Sequence, residues 1–254
     1  MELKDKIIVV TGGASGIGRE MCRRFAREGA KKVVVADLNG EGAAAVAAEF
    51  GGFSMAVDVR KESEIVELIN TTEAQFGPID LFCSNAGIGI GKNIDEPDEV
   101  WQTIWEVNTM AHVWAARHLV PLMIARGGGY LLNTSSAAGL LNQIGSVTYA
   151  VTKHAAVALA EWLSITYGDQ GIKVSVLCPQ AVNTPLVAGG AGVAGVDGMI
   201  EPEVAVEAVV ETLREEKFLV LPHPEVAEYM KRKAADYDRW LKGMRRLQTQ
   251  YVES

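Results

Sequence analysis

Short β-branched runs alternate with longer helical stretches along most of the chain, and this alternation constrains the fold more than any other feature. The clearest runs are Ile7–Val10 and Val33–Ala36, with further short apolar runs ending at Asp58, Asn85 and Ser135 and two more at 174–177 and 218–221. Strands that alternate with helices form a parallel sheet with helices on both faces. We therefore expect a single α/β domain, a doubly wound parallel sheet over residues 1–254, since no repeat or Pro/Ser-rich linker divides the chain.

Composition excludes several classes of protein. The net charge of −8 provides no basic surface of the kind that nucleic-acid binding requires. The three cysteines, Cys22, Cys83 and Cys178, are scattered and odd in number, which is typical of a reducing compartment. The segment 1–6 is short and charged, unlike a signal peptide, and no apolar run approaches the ~20 residues of a membrane span. We expect a soluble, cytoplasmic protein with no nucleic-acid or membrane partner.

Two segments stand apart from the alternating pattern. Glycines and small apolar residues fill 187–200, and the stretch about 185–200 is interpreted either as a disordered surface loop or as a lid that orders around a ligand. Helical periodicity over 225–247, within a C-terminal segment of about 223–247, predicts one long amphipathic helix. Its basic run 231–233 is interpreted as a solvated face.

A glycine-rich turn follows the first strand directly. The turn Thr11–Gly18 passes into a helix in which Ile17, Met21 and Phe25 repeat every four residues. Glycines let the backbone turn tightly and approach a pyrophosphate, whose charge is favoured at a helix N-terminus. Taken alone, such a turn is also compatible with an ordinary strand-to-helix connection.

The position of Asp37 strengthens the dinucleotide interpretation. Asp37 closes the second strand, where a carboxylate accepts hydrogen bonds from adenosine ribose hydroxyls and repels a 2′-phosphate. No cation follows at Leu38 or Asn39, and Ser15 supplies none within the turn. The cofactor expected is therefore NAD rather than NADP. The alternative is that Asp37 is a turn residue or a helix cap before Gly40.

An acid–base pair is suggested by Tyr149 and Lys153, which lie four residues apart on one helical face. A phenol titrates near ~10, and a nearby ammonium is expected to lower that pKa toward working pH. The phenol then exchanges a proton with an alcohol or a ketone. Ser136, at a strand's carboxyl end, is a candidate donor to the substrate oxygen, whereas Ser135 is interpreted as structural. Asn108 is either a satisfied core amide or a partner for a relay water.

Together these motifs resemble the short-chain dehydrogenase/reductase family, whose signature Thr-Gly-x3-Gly-x-Gly matches Thr11 to Gly18. The resemblance runs from about Lys4 to Thr184 and implies a Rossmann-type fold, NAD as cofactor and a homotetramer or homodimer. It implies a catalytic tetrad of Asn108, Ser136, Tyr149 and Lys153. The cofactor-binding residues expected are Gly12, Ser15, Gly16, Ile17, Gly18, Asp37, Asp58, Val59, Asn85, Ala86, Gly87, Tyr149, Lys153, Pro179, Val182 and Thr184.

The sequence departs from the family pattern at Gln180, where the family usually has glycine. We hypothesise that Gln180, and Asn142 in the segment 137–144, contact the substrate. Lys92 is the only cation in the predicted substrate-facing segments, whereas an anionic substrate normally calls for convergent donors. The expected reaction interconverts a secondary alcohol and a ketone on a neutral, apolar compound that is aromatic, alicyclic or steroid-like.

Other functions were weighed against this one. Within the same family a 3-oxoacyl thioester or a sugar alcohol is the alternative substrate, and a non-catalytic NAD-binding regulator is the alternative class. Epimerases and dehydratases usually have longer chains and another glycine spacing, and enoyl reductases space the tyrosine and lysine further apart. A serine hydrolase lacks its Gly-x-Ser-x-Gly turn here, and no histidine spacing indicates a zinc site.

Overall fold

The central sheet is seen in a computed structural model that describes residues 1–251. Within those residues it has seven parallel strands in the order β3-β2-β1-β4-β5-β6-β7. The strands are β1 (Ile7–Thr11), β2 (Lys32–Asp37), β3 (Phe53–Ala56), β4 (Leu81–Ser84), β5 (Gly129–Thr134), β6 (Ile172–Leu177) and β7 (Leu219–Val220). The predicted doubly wound Rossmann-type sheet is therefore confirmed.

Helices follow the strands in the order that the sequence pattern predicts. They are α1 (Gly16–Arg27), α2 (Gly40–Ala48), α3 (Glu62–Phe76), α4 (Asp98–Trp105), α5 (Ala111–Ala125), α6 (Ala138–Leu141), α7 (Val147–Tyr167), α8 (Pro202–Glu215), α9 (Glu225–Ala235) and α10 (Tyr237–Gln248). A π-helical turn, Glu106–Met110, separates α4 from α5.

Alternate residues of each strand face opposite sides of the sheet, so the strands supply two separate cores. Ile7 and Val9 pack with helices α3, α5 and α7, whereas Ile8 and Val10 pack with α1, α2 and α8. All four side chains are at most 3% exposed. Because both faces are covered, the strands are apolar throughout, which is why they appear in the sequence as unbroken runs rather than alternating ones.

The C-terminal segment differs from its prediction. The single long helix expected over 225–247 is wrong, because α9 ends at Ala235 and α10 begins at Tyr237. Asp236 lies between them in extended conformation, and its carboxylate accepts a hydrogen bond from the Arg239 backbone N–H. Aspartate favours such a cap over a helix interior, so it ends one helix and starts the next. Residues 252–254 of the predicted domain lie outside the described residues.

The strand order reverses direction between β1 and β4. In doubly wound sheets a crevice opens at this point, beyond the carboxyl ends of the strands. The glycine-rich turn after β1 and the segment Asn85–Gly87 after β4 flank the crevice. The fold therefore places the predicted phosphate-binding turn where such folds bind ligands.

Candidate active site

The glycine-rich turn packs too closely for side chains at two of its glycines. Gly12 has a φ of +66°, and a methyl group on it would lie 2.8 Å from the Ala86 Cα. A methyl group on Gly18 would lie 2.1 Å from the Gly12 carbonyl oxygen and 2.5 Å from the Asn85 Nδ2. The glycines are therefore required by the close approach of the backbone in this turn.

The N-terminus of α1 suits an anionic ligand. Ser15 occupies the cap position but its side chain makes no capping hydrogen bond, and no acidic residue lies in the first turn. The first N–H groups of a helix need partners, and a pyrophosphate at the helix N-terminus supplies them together with favourable charge. The turn and helix thus fit the dinucleotide that Gly16, Ile17 and Gly18 were predicted to bind.

Asn85 ties this turn to the ends of β4 and β5. Its Nδ2 donates to the Thr11 carbonyl oxygen at 3.1 Å, and its Oδ1 accepts from the Thr134 hydroxyl at 3.1 Å. The Thr11 hydroxyl accepts from the backbone N–H groups of Asn85 and Ala86 at 3.0 and 3.1 Å. These bonds hold the ends of β1, β4 and β5 together, so Asn85 supports the shape of the turn.

Asp37 also contacts the turn. One carboxylate oxygen accepts from the Ala14 backbone N–H at 3.0 Å, and the other accepts from the Asn39 backbone N–H at 2.9 Å. The cap of α2 is Asn39, which accepts from Gly42, so the helix-cap alternative for Asp37 is wrong. A carboxylate has about four acceptor positions, so both oxygens retain capacity for ribose hydroxyls.

Asp58 and Val59 follow β3 at the predicted adenine side. The Asp58 carboxylate accepts two hydrogen bonds from the Arg60 guanidinium, at 2.9 Å from Nε and 2.7 Å from Nη2. Arg60 thereby holds the pKa of this carboxyl below its usual range. Val59 is buried with the core on the α3 side of the sheet. Their predicted contacts with adenine remain predictions.

Tyr149 and Lys153 meet on one face of α7. The Lys153 Nζ lies 5.5 Å from the centroid of the Tyr149 ring and donates to the Thr134 carbonyl oxygen at 3.1 Å. Burial lowers the pKa of Lys153 to about 8, because an ammonium removed from water loses solvation. The side chain is therefore still mainly charged at pH 7.

Burial also decides the pKa of Tyr149. Desolvation raises the pKa of the phenol above its ordinary value, and hydrogen bonding with Ser136 offsets part of that rise. The net shift is upward, opposite to the lowering that the sequence predicted from Lys153, and its causes are burial and Ser136, with Cys178 adding to the rise. A neutral phenol is the form that can donate a proton.

The two serines after β5 make different contacts. The Ser136 hydroxyl accepts from the Ala138 backbone N–H at 3.1 Å and makes a long 3.3 Å contact to the Pro179 carbonyl oxygen. The Ser135 hydroxyl donates to the Lys153 carbonyl oxygen at 2.7 Å, which anchors α7 beside β5. Ser136 therefore lies beside the phenol, and Ser135 has the structural contact that the sequence suggested.

Asn108 lies in the π-helical turn and is fully buried. Its Oδ1 accepts from the Ile88 backbone N–H at 2.9 Å, and its Nδ2 donates to the Ile88 carbonyl oxygen at 2.9 Å and the Thr152 hydroxyl at 3.3 Å. Both amide hydrogens are used, so the side chain clamps the chain after β4 against α7. Gly87 packs closely against Lys153, since a methyl group on Gly87 would lie 3.3 Å from the Lys153 Nζ. A relay water at Asn108 remains a prediction.

Residues after β6 close the opposite side of the crevice. Val182 pairs with Ile200 in a short β-bridge, and Thr184 lies against the glycine turn, since a methyl group on Gly16 would be 3.0 Å from the Thr184 Cγ2. Asn142 is exposed with a φ of +95°, and its Oδ1 accepts from the Gln143 backbone N–H at 2.8 Å. The structure thus brings Thr184 to the turn, while substrate contact by Asn142 remains a prediction.

Comparison with known proteins decides the family. The short chain dehydrogenase family model matches residues 6–190. This chain belongs to the short-chain dehydrogenase/reductase family, a family of oxidoreductases. It is 37% identical over 229 residues to the 1-deoxy-11-beta-hydroxypentalenate dehydrogenase of Streptomyces exfoliatus, covering 86% of this chain and 83% of that one. It is 32% identical over 229 residues to the human epidermal retinol dehydrogenase 2, covering 85% and 74%.

A solved structure shows the same fold. The short-chain dehydrogenase/reductase of Burkholderia phymatum, in complex with NAD, has a TM-score of 0.86 and 24% identity, covering 94% of this chain and 96% of that chain. The match to the family model ends at residue 190, inside the glycine-rich segment. The family model therefore does not describe the residues after 190, which include α9 and α10.

Two polar residues near the site were missed by the sequence reasoning. His223 follows β7 and is buried, and its Nδ1 accepts from the Gln180 backbone N–H at 3.2 Å. Tyr229, on α9, donates from its hydroxyl to Asp197 at 2.9 Å. The sequence analysis considers the histidines only as zinc ligands. The position of His223 just after a strand could have indicated a residue near the site, because ligands bind beyond the carboxyl ends of parallel strands.

Metal and membrane features were also examined. Within residues 1–251 no group of three or more histidine, cysteine, aspartate or glutamate side chains is placed to hold a metal ion. Over the same residues, no helix combines the length and apolar character needed to cross a bilayer.

Proposed function

We propose that this chain is an NAD(H)-dependent oxidoreductase that interconverts a secondary alcohol and a ketone. The observation that carries the proposal is that Tyr149, Lys153 and Ser136 meet at the carboxyl end of β5, where Thr134 is joined through Asn85 to the glycine turn. When bound, NAD(H) accepts or supplies the hydride. The side chains then have to orient the substrate oxygen and move its proton.

Each of the three side chains has a distinct part in that proton transfer. The Tyr149 phenol donates its proton to a ketone oxygen as charge develops there, and its phenolate accepts one from an alcohol. Ser136 is placed to hold the same oxygen, because its contact to Pro179 is long and its proton is readily redirected. Lys153, held by Thr134, keeps a positive charge beside the phenol.

The substrate proposed is neutral and apolar. A small apolar cluster formed by Ala137, Leu141 and Val226, with Tyr229 and Trp240 packed against it, begins one residue after Ser136. This wall suits a hydrocarbon or ring body better than a charged group. The two relatives above are named dehydrogenases of retinol and of a hydroxypentalenate, which supports an alcohol on a largely hydrocarbon skeleton.

A substrate screen tests this function. NADH absorbance is followed with aromatic, alicyclic and steroid-like ketones and alcohols, beside 3-oxoacyl thioesters and sugars. We expect turnover with the first group. A clear preference for thioesters or sugars would replace the substrate class, and no turnover with any substrate despite NADH binding would favour a non-catalytic regulator.

The cofactor preference is expected to depend on Asp37. Its carboxylate lies at the end of β2 beside the glycine turn, where it repels a 2′-phosphate. We expect Asp37→Asn to move the ratio of NADH to NADPH affinity toward NADPH by about tenfold, equal to about 1.4 kcal/mol. Titration of both cofactors measures the ratio, with Asp238→Asn on exposed α10 as the control. An unchanged ratio would remove Asp37 from cofactor selection.

The two reaction directions are expected to respond oppositely to pH. Reduction needs the neutral phenol and the charged Lys153, so its rate should fall as the pH rises through about 8, where Lys153 loses its proton. Oxidation needs the phenolate, so its rate should rise with pH because burial raises the pKa of Tyr149. Ser136→Ala should move that rise to higher pH, since hydrogen bonding with Ser136 lowers the pKa. The pH dependence of kcat in both directions, for wild type and variant, checks these signs.

A homotetramer or homodimer is proposed as the assembly. Helices α5 and α7 expose Leu122, Trp162 and Ile165, which are 41%, 54% and 83% accessible. Large exposed apolar side chains on these two helices support an interface there. Light scattering of the purified protein tests the proposal, and a monomer at micromolar concentration would end it.

A cytoplasmic location is also proposed. Cys22, Cys83 and Cys178 are all free and buried, as is typical of a reducing compartment. Cell fractionation tests this, and recovery from an oxidising compartment would overturn it.

A further inference from the structure

Two sets of hydrogen bonds hold the segment between Gln180 and Ile200 against the rest of the protein, one made by backbone atoms and one by side chains. We call residues 185–200 the substrate loop. Close to the sheet, the Ala181 backbone N–H donates to the Ala194 carbonyl oxygen at 3.0 Å, and the Ile200 backbone N–H donates to the Ala181 carbonyl oxygen at 3.1 Å. These bonds fix the inner side of the loop. They leave its outer part, which includes Asp197, to be held by side chains.

Asp197 provides that outer fastening. One carboxylate oxygen accepts from the Gln180 Nε2 at 2.9 Å, and the other accepts from the Tyr229 hydroxyl at 2.9 Å. Gln180 follows β6, and Tyr229 belongs to α9, so one carboxylate joins the loop to the sheet and to the C-terminal helices. Both donors are neutral, and hydrogen bonds to an ionised acceptor are the stronger kind.

The backbone of Gln180 is also held in place, by a hydrogen bond to His223. Its backbone N–H donates to the His223 Nδ1 at 3.2 Å, so this nitrogen is the acceptor and the proton of the neutral imidazole is on Nε2. Burial lowers the pKa of His223, which favours that neutral form. The amide nitrogen of Gln180 is thus directed at Asp197 from a fixed backbone. A glycine at this position, as in the family pattern, has no side chain to make that bond.

Tyr229 also packs in the apolar wall beside the site. Its ring centroid lies 6.4 Å from that of Trp240, and both rings pack on the cluster that contains Leu141. The Lys233 ammonium donates to the Leu140 carbonyl oxygen at 2.7 Å, which fastens α9 to α6. The helix that carries Tyr229 is therefore seated on the segment that follows Ser136. A loop tied to Tyr229 is held over the side of the crevice where we place the substrate.

We propose that Gln180, Asp197 and Tyr229 form a clasp that holds the substrate loop closed over the bound substrate. Gln180 and Tyr229 are positioning residues that act through Asp197. The part of the inference that concerns substrate rests on the proposed function, whereas closure of the loop does not. Opening the clasp exposes the crevice and weakens substrate retention, while the acid–base group is unaltered.

Hydrogen exchange of the loop tests the clasp without any substrate. We expect Tyr229→Phe and Gln180→Ala each to speed exchange of backbone amides in residues 185–200 by about threefold to tenfold, the effect of one lost hydrogen bond. Asp197→Ala should speed it more, because both bonds are lost. Tyr237→Phe and Asp238→Ala, at exposed positions of α10, are the matched controls and should leave the loop unchanged.

A double-mutant cycle separates the clasp from independent local effects. Asparagine keeps an oxygen that accepts from Gln180 and has an amide that can donate to the Tyr229 hydroxyl oxygen, but it lacks the charge, so Asp197→Asn should give an intermediate exchange rate. In the Asp197→Ala background, Tyr229→Phe should have no further effect on the loop. Equal effects of Tyr229→Phe in both backgrounds, or loop exchange that is identical in Asp197→Ala and wild type, would overturn the clasp.

Kinetics then links the clasp to substrate. With a substrate from the screen, we expect Asp197→Ala to raise KM by about tenfold or more while kcat changes by less than about threefold. A fall in kcat at constant KM would show that the clasp does not retain substrate. If no substrate is found, the proposed function fails while the exchange experiment still decides whether the loop is clasped.

Discussion

Tyr149→Phe is expected to reduce kcat by about 10²- to 10⁴-fold, the range that general acid–base catalysis contributes, while NADH still binds. Phenylalanine keeps the ring that packs on α7 near Lys153 and removes only the hydroxyl. The loss should therefore appear in turnover and not in cofactor affinity.

The measurement combines steady-state kinetics with NADH titration. Tyr237→Phe is the control, since this tyrosine lies on α10 and is 56% exposed. We expect it to retain wild-type rates. Turnover by Tyr149→Phe within tenfold of wild type would reject the acid–base assignment, and loss of NADH binding would show that the ring has a structural part instead.

Gly18→Ala is expected to abolish cofactor binding and to destabilise the fold. The added methyl group would lie 2.1 Å from the Gly12 carbonyl oxygen and 2.5 Å from the Asn85 Nδ2. One neighbour is backbone and the other is fixed by its bonds to Thr11 and Thr134, so neither can yield without moving the turn. Overpacking of this kind costs about 1–3 kcal/mol, and the displaced N–H groups no longer meet a pyrophosphate.

Gly243→Ala is the matched control for Gly18→Ala. Gly243 also lies within a helix, α10, and an added methyl group there would have nothing within 4 Å. Alanine is the better helix former by about 1 kcal/mol, so this variant should unfold at the same or a slightly higher temperature. Thermal unfolding and NADH titration compare the two variants. Gly18→Ala with wild-type NADH affinity would remove the glycine turn from the proposed cofactor site.

Much of the site was predictable because its chemistry depends on residues near each other in sequence. Tyr149 and Lys153 share a helical face at a spacing of four, and the turn from Thr11 to Gly18 follows a strand directly. Local periodicity places such residues together whatever surrounds them. The predictions that were wrong concern quantities that depend on the surroundings of a residue in the folded chain. The pKa of Tyr149 rises instead of falling because the phenol is buried, and burial is a property of the folded chain.

The contacts of Gln180 show the same difference between what local sequence patterns predict and what only the folded chain determines. Its departure from the family pattern was visible in the sequence, but its partners Asp197 and His223 are 17 and 43 positions away. Tyr229, the other partner of Asp197, is 32 positions from that residue, and only the packing of the loop and α9 brings these residues together. The sequence by itself determined the strand-and-helix order, the glycine-rich turn after β1 and the shared helical face of Tyr149 and Lys153, because these follow from short-range patterns. Tertiary structure alone decided the sign of the phenol pKa shift and the clasp on the substrate loop, because desolvation and long-range hydrogen bonds exist only once distant segments pack together.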